Sequence, residues 1–142
     1  MTTKIYIDTE FNGFGGELIS MALAAEDGRE FYEVLELPPE GSIDPWVAKH
    51  VIPILNKQPV PKATFQHNLL KFLSKYTEVL IVADWPEDLK FFNQMLITGP
   101  GRCMSTPGRL YTVLDRNLPD TSEVSKIPHN ALEDARALRD LR

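Results

Sequence analysis

Val79-Leu80-Ile81-Val82-Ala83-Asp84-Trp85-Pro86-Glu87-Asp88 is the stretch on which the fold turns. Five apolar residues in a row, without alternation, are what a strand covered on both faces requires. The residues that follow read as a helix start, with Asp84 at the N-cap and Glu87 as its reciprocal partner. A central strand that passes directly into a helix belongs to an α/β chain. The helix is expected to run to about Ile97, where Gly99-Pro100-Gly101 breaks it.

On the N-terminal side, Phe65, Leu69, Leu70, Phe72, Leu73 and Tyr76 fall at helical spacing and predict an amphipathic helix over Lys62 to Tyr76. Asn56 to Pro61 is a linker, and Asp44-Pro45 supplies an N-cap and a first-turn proline for a short helix that Pro53 ends. Earlier still, three strands are expected: Lys4 to Asp8, Glu17 to Ala25 and Arg29 to Leu37. The last two form a hairpin across Glu26-Asp27-Gly28. On the C-terminal side, Arg109 to Leu114 reads as a strand, and Asn130-Ala131-Leu132-Glu133 has the spacing of a capping box opening a terminal helix. Antiparallel elements first and alternating elements later imply a mixed sheet with helices packed against it.

Composition bounds what such a chain can do. Its 142 residues, 43% hydrophobic and 25% charged, are enough for one domain spanning 1–142 with one core. The net charge of -5 lacks the basic footprint of a protein that coats nucleic acid or sits on anionic membrane. Cys103 is the single cysteine, which excludes an intramolecular disulfide and a cysteine-based zinc framework and suits a reducing compartment. No apolar run approaches the roughly 18 residues that span a bilayer, so no membrane is expected and a cytoplasmic location is the default.

The acids are placed pointedly. Asp8 and Glu10, two residues apart at the end of the first strand, project from one face. The glycine-rich turn Phe11-Asn-Gly-Phe-Gly-Gly16 follows them and permits close approach of backbone to a ligand. Asp88 lies on the stripe of Phe91, Phe92, Met95 and Leu96, so its carboxylate is carried toward the sheet. That position is costly unless the group is paired, hydrogen-bonded or bound to metal. Asp84 has its capping explanation, and Asp88 is therefore preferred as the functional acid. Asp134 stands beside Ala131, Ala135 and Leu138, with His129 just ahead of the cap residue. His50 and His67 lack an acidic partner pattern and are taken as structural. Four converging carboxylates call for cations, and all-oxygen ligation suits Mg²⁺ or Mn²⁺. Two such ions about 3.5–4 Å apart serve in-line displacement at phosphorus, and a histidine near neutrality suits a general base.

These residues carry a resemblance. Ile5-Tyr-Ile-Asp-Thr-Glu10 looks like the first motif of the DEDDh 3′-to-5′ exonucleases. Asp88 in its strand-to-helix setting is similar to the second, and His129-Asn-Ala-Leu-Glu-Asp134 to the third. The patterns Asp8-Thr-Glu-Phe11, Glu17-Leu-Ile-Ser20 and Glu26-Asp-Gly-Arg-Glu-Phe-Tyr32 resemble the small single-domain exoribonucleases of bacteria, mycobacteria among them, and of phages. The resemblance implies an RNase H-like α/β fold with a five-stranded mixed sheet flanked by helices. It implies that Asp8, Glu10 and Asp134 hold one cation, with Asp8 bridging to a second that Asp88 supports, and that His129 is the base. Thr9, Phe11, Asn12 and Trp85 are the expected substrate contacts, with Phe14 a further candidate for stacking. The substrate expected is the 3′ end of single-stranded RNA, with DNA as the nearest rival. A homodimer is also implied. An RNase H-type endonuclease is disfavoured by the histidine-to-aspartate spacing, and a catalytically silent end-binding module by the intact set of five residues. One departure stands out: the second motif often follows a His-Asn pair, where this chain has Asp84-Trp85-Pro86.

Overall fold

The computed structural model describes residues 1–141. In chain order the elements are β1 (Thr3–Phe11), β2 (Leu18–Ala25), β3 (Glu30–Val34), α1 (Pro45–His50), α2 (Lys62–Leu73), β4 (Glu78–Ala83) and α3 (Pro86–Leu96). They continue with β5 (Ile97–Gly99), β6 (Arg102–Cys103), β7 (Arg109–Leu114), α4 (Thr121–Val124) and α5 (Ala131–Asp140). Among the described residues, five strands form one sheet in the order β3-β2-β1-β4-β7. β1 pairs antiparallel with β2 and parallel with β4, and β4 pairs parallel with β7, so the sheet is mixed as the sequence pattern implied. This is an α/β, RNase H-like arrangement.

Alternation along β1 sorts the two layers. Ile5 and Ile7 join Leu23, Val79 and Ile81 beneath Phe65, Leu69 and Phe72 of α2 and Phe91, Phe92 and Met95 of α3. On the other face Tyr6 and Val82 pack on Leu138, while Ala22 and Ala24 pack on Ala131 and Ala135. The alanines of β2 and α5 meet without bulk between them, which lets the helix lie close to the sheet. That closeness brings the start of α5 to the carboxyl ends of β1 and β4.

Several local expectations change. β1 is longer than Lys4 to Asp8, so Glu10 is still in strand geometry and shares a face with Asp8. β3 is shorter than Arg29 to Leu37, and α2 ends at Leu73 rather than at Tyr76. Asp44 and Asn130 cap as expected: Asp44 accepts from the N–H groups of Trp46 and Val47, and Asn130 from Glu133 N–H. Asp84 does not cap. Pro86 occupies the first turn of α3, which makes Trp85 the N-cap with no side-chain hydrogen bond, and Glu87 instead accepts from the Trp85 indole N–H at 2.9 Å. The small β5–β6 hairpin around Gly101 and the single turn of α4 were not anticipated.

Candidate active site

Thr9 is buried on the α3 side of β1, where its N–H and hydroxyl both donate to Asp88 Oδ1, at 3.2 and 2.5 Å. That pair of bonds locks the first turn of α3 against the end of β1. It also leaves Asp88 Oδ2 buried without a partner. Asp8 and Asp134 are in the same condition, through Asp8 Oδ2 and Asp134 Oδ1. The three aspartates are 8, 3 and 3% exposed. Buried oxygen acceptors are nearly always satisfied, so three orphans at one place mark a site built for something that supplies positive charge.

The carboxylates fall into two groups that share one member. Oxygens of Asp8, Glu10 and Asp134 lie within 4.8 Å of one another, and so do oxygens of Asp8, Asp84 and Asp88. Carboxylate oxygens alone are a hard donor set of the kind that holds Mg²⁺ or Mn²⁺. Burial raises the pKa of Asp8 and Glu10 well above their ordinary values, and repulsion from the neighbouring carboxylates adds to it. Desolvation likewise pushes Asp88 up to about 8 and Asp134 to about 6. Without cations the cluster therefore keeps protons that ordinary aspartates would have lost.

His129 reaches the cluster through its backbone. Its N–H donates to Asp134 Oδ2 at 3.2 Å, and its φ of 73° places a non-glycine residue in the left-handed region. Strain of this kind persists only where surrounding contacts impose it. Here those contacts include a ring cluster: Trp46 meets the His129 ring edge-on at 4.9 Å between centroids and lies 4.7 Å from His50. His50, expected to be structural only, stands 6.4 Å from His129. Partial burial, with the neighbouring His50, lowers the His129 pKa, which favours the neutral imidazole at neutral pH.

The other expected contacts are dispersed. Phe11 packs on Phe91 at 5.1 Å between centroids and belongs to the rim of the core. Phe14 is fully exposed. Trp85 is half-exposed, with the Arg116 guanidinium 4.9 Å above its ring. The Asn12 amide is committed to the turn: it donates to Glu17 at 2.7 Å and to the Ser42 carbonyl at 2.8 Å, and accepts from Asp44 N–H at 2.7 Å. Gly16 closes that turn, since a Cβ there would fall 2.0 Å from the Asn12 carbonyl oxygen.

Sequence reasoning passed over Asp84, Trp46 and His50. Asp84 was hidden by its capping-box spacing, and the other two sit on α1, far along the chain from His129. Among the described residues no helix is long and apolar enough to cross a membrane.

Two curated 3′-5′ exoribonucleases of Mycobacterium tuberculosis, from strain CDC 1551 / Oshkosh and strain ATCC 25618 / H37Rv, are similar to this chain. Each is 47% identical over 55 residues, which is 37% of this chain and 32% of the relative. The chain thus spans about a third of the length of the curated relatives it matches. No family model matches.

Proposed function

We propose that this chain acts as a 3′-to-5′ exoribonuclease of the DEDDh type, which removes nucleoside monophosphates from the 3′ end of single-stranded RNA. The observation that carries the reading is the pair of carboxylate groups joined through Asp8, with orphaned buried oxygens, next to a histidine whose pKa is lowered. The similarity to proteins named 3′-5′ exoribonucleases supports the same activity.

Asp8, Glu10 and Asp134 would hold one divalent cation, Mg²⁺ or Mn²⁺, and Asp8 with Asp88 a second. Such a pair supplies Lewis acidity that stabilises charge developing on the attacking and leaving oxygens. The residues of the chain do the rest. His129, neutral at working pH, takes the proton from the water that attacks phosphorus. The new bond joins water oxygen to phosphorus, the bond from phosphorus to the 3′ oxygen breaks with its electron pair going to that oxygen, and the oxygen takes a proton from solvent to become the 3′-hydroxyl of the shortened chain. Thr9 fixes Asp88 in place through its two donors. Backbone at Thr9 to Phe11 would meet the terminal 3′-OH, and the half-exposed Trp85 ring would stack on a base, worth about 1–3 kcal/mol. With the single cysteine a free thiol, we assign the protein to the cytoplasm.

The test uses 5′-labelled RNA and DNA oligomers of matched sequence, with free or blocked 3′ ends, in Mg²⁺, Mn²⁺ or EDTA. The expected outcome is a ladder shortening from free RNA 3′ ends, absent in EDTA and absent in both Asp8→Ala and His129→Ala. Undiminished ladders in either variant overturn the site. Equal cleavage of the blocked substrate points to an endonuclease.

A further inference from the structure

Asp84 meets its own backbone N–H and the side chain of Asp88, and so is tied to the cluster rather than to a capping role. It does not cap α3, because the N-cap is Trp85. Among the described residues no ion pair involves it, although Arg116 is close by. The Arg116 guanidinium is engaged elsewhere, donating to the main-chain carbonyl of Asp84 and lying over the Trp85 ring. The Asp84 carboxylate faces the cluster, with an oxygen within 4.8 Å of oxygens of Asp8 and Asp88. The partners it faces are incomplete in turn. Asp8 Oδ2 and Asp88 Oδ2 are buried, unpartnered, and belong to side chains more than nine-tenths removed from solvent.

A half-buried carboxylate placed against two buried carboxylates costs free energy unless protons or a cation offset the charge, and a cation also satisfies the two orphaned oxygens. We infer that Asp84 is a direct ligand of the second cation, so that this ion is held by three carboxylates, Asp8, Asp84 and Asp88. The inference rests on the two-cation reading and adds to it. The assignment follows from the geometry at the start of α3. β4 ends at Ala83, so Asp84 leaves the sheet at the level of Asp8 on the parallel neighbour β1, and Asp88 returns to that level one helical turn later. Three negative ligands on one ion favour tight retention, because affinity for hard cations rises with ligand charge.

Mn²⁺ alone, titrated into the full chain and followed by electron paramagnetic resonance and calorimetry, reads the site without any turnover. Wild type is expected to bind two ions. Asp84→Asn is expected to leave one ion at wild-type affinity and to weaken the other at least tenfold, as Asp88→Asn does, with unchanged far-UV circular dichroism. Asp84→Ser serves as a second variant should the first fold poorly. Glu87→Gln removes a nearby charge that is outside the triad and is expected to change neither affinity more than twofold. Wild-type affinities in Asp84→Asn overturn the assignment. So does an equal loss at both ions, or a matching loss in Glu87→Gln, either of which reduces Asp84 to a general field effect. Wild type binding fewer than two ions overturns the two-cation reading itself, a different result from a silent Asp84 variant.

Discussion

Thr9 gives Asp88 two hydrogen bonds to a single oxygen, N–H at 3.2 Å and hydroxyl at 2.5 Å, across 79 residues of sequence. A strand residue thereby orients a helix residue, and the second Asp88 oxygen is left directed at the cluster. Thr9→Val keeps the shape and removes the hydroxyl. A loss of about 1–2 kcal/mol in folding stability is expected, the worth of one buried hydrogen bond. Urea unfolding of the two proteins measures it, and an unchanged midpoint would show that the hydroxyl bond contributes nothing.

Asp8 burdens the fold when no cation is bound. Its carboxyl is buried beside Glu10, Asp88 and Asp134, and all of these raise its pKa. Asp8→Asn is expected to raise the midpoint of the chelator-treated protein by about 3–8 °C, corresponding to about 1–2 kcal/mol of relieved repulsion. Nucleotide release should be lost in the same variant, a trade of stability against activity. Calorimetry at pH 8 in EDTA reads the first effect, and a lower midpoint there would contradict it.

Dependence on pH follows from the same groups. Asp88, pushed up to about 8, and Asp134, at about 6, bind protons more tightly folded than unfolded, where the ordinary value is 3.8. The folded state therefore keeps protons that the unfolded chain releases more readily, and this contribution to stability is full below the unfolded value of 3.8. That advantage is lost as pH rises through 6 and 8. In EDTA the melting temperature should fall by several degrees between pH 5 and pH 8.5. Millimolar Mg²⁺ or Mn²⁺ should reverse most of the fall at pH 8.5, because cations then replace the protons. A profile that is flat in EDTA would mean the carboxylates are not held neutral.

Asn12 ties the first turn to α1. Its three hydrogen bonds to Glu17, Ser42 and Asp44 fix the approach of the helix that carries Trp46 and His50 toward His129. Asn12→Ala is expected to cost about 2–3 kcal/mol, the sum of such bonds at their usual net worth. It should also slow turnover more than it raises KM, through a loosened His129. Thermal unfolding and steady-state kinetics together decide this, and a variant impaired in KM alone would place Asn12 against substrate instead.

Much of the architecture was readable because it rests on periodicity. The unbroken run at Val79 announced a strand covered on both faces, and the stripe of Phe91, Phe92 and Met95 showed which way Asp88 points. At two places local rules competed. Asp84 and Glu87 have capping-box spacing, yet Pro86 starts the helix one residue later and frees Asp84 for the cluster. Asn12 lies in a turn whose glycines suggest a ligand loop, while its amide proves to be taken up by three partners within the fold.

By itself the sequence determined which side chains share a face: Asp8 with Glu10 on a strand, Asp88 with the α3 stripe, Asp134 with the alanines of α5. Those relations depend only on the 2.0 and 3.6 repeats and on burial of apolar surface. Only the tertiary structure decided how the faces meet. The alanine contact of β2 with α5 sets how near Asp134 comes to Asp8, and parallel pairing of β1 with β4 brings Asp84 and Asp88 to the same end of the sheet. The docking of α1 puts Trp46 and His50 around His129. Such distances between elements are set by packing volumes and strand register, which no local spacing encodes.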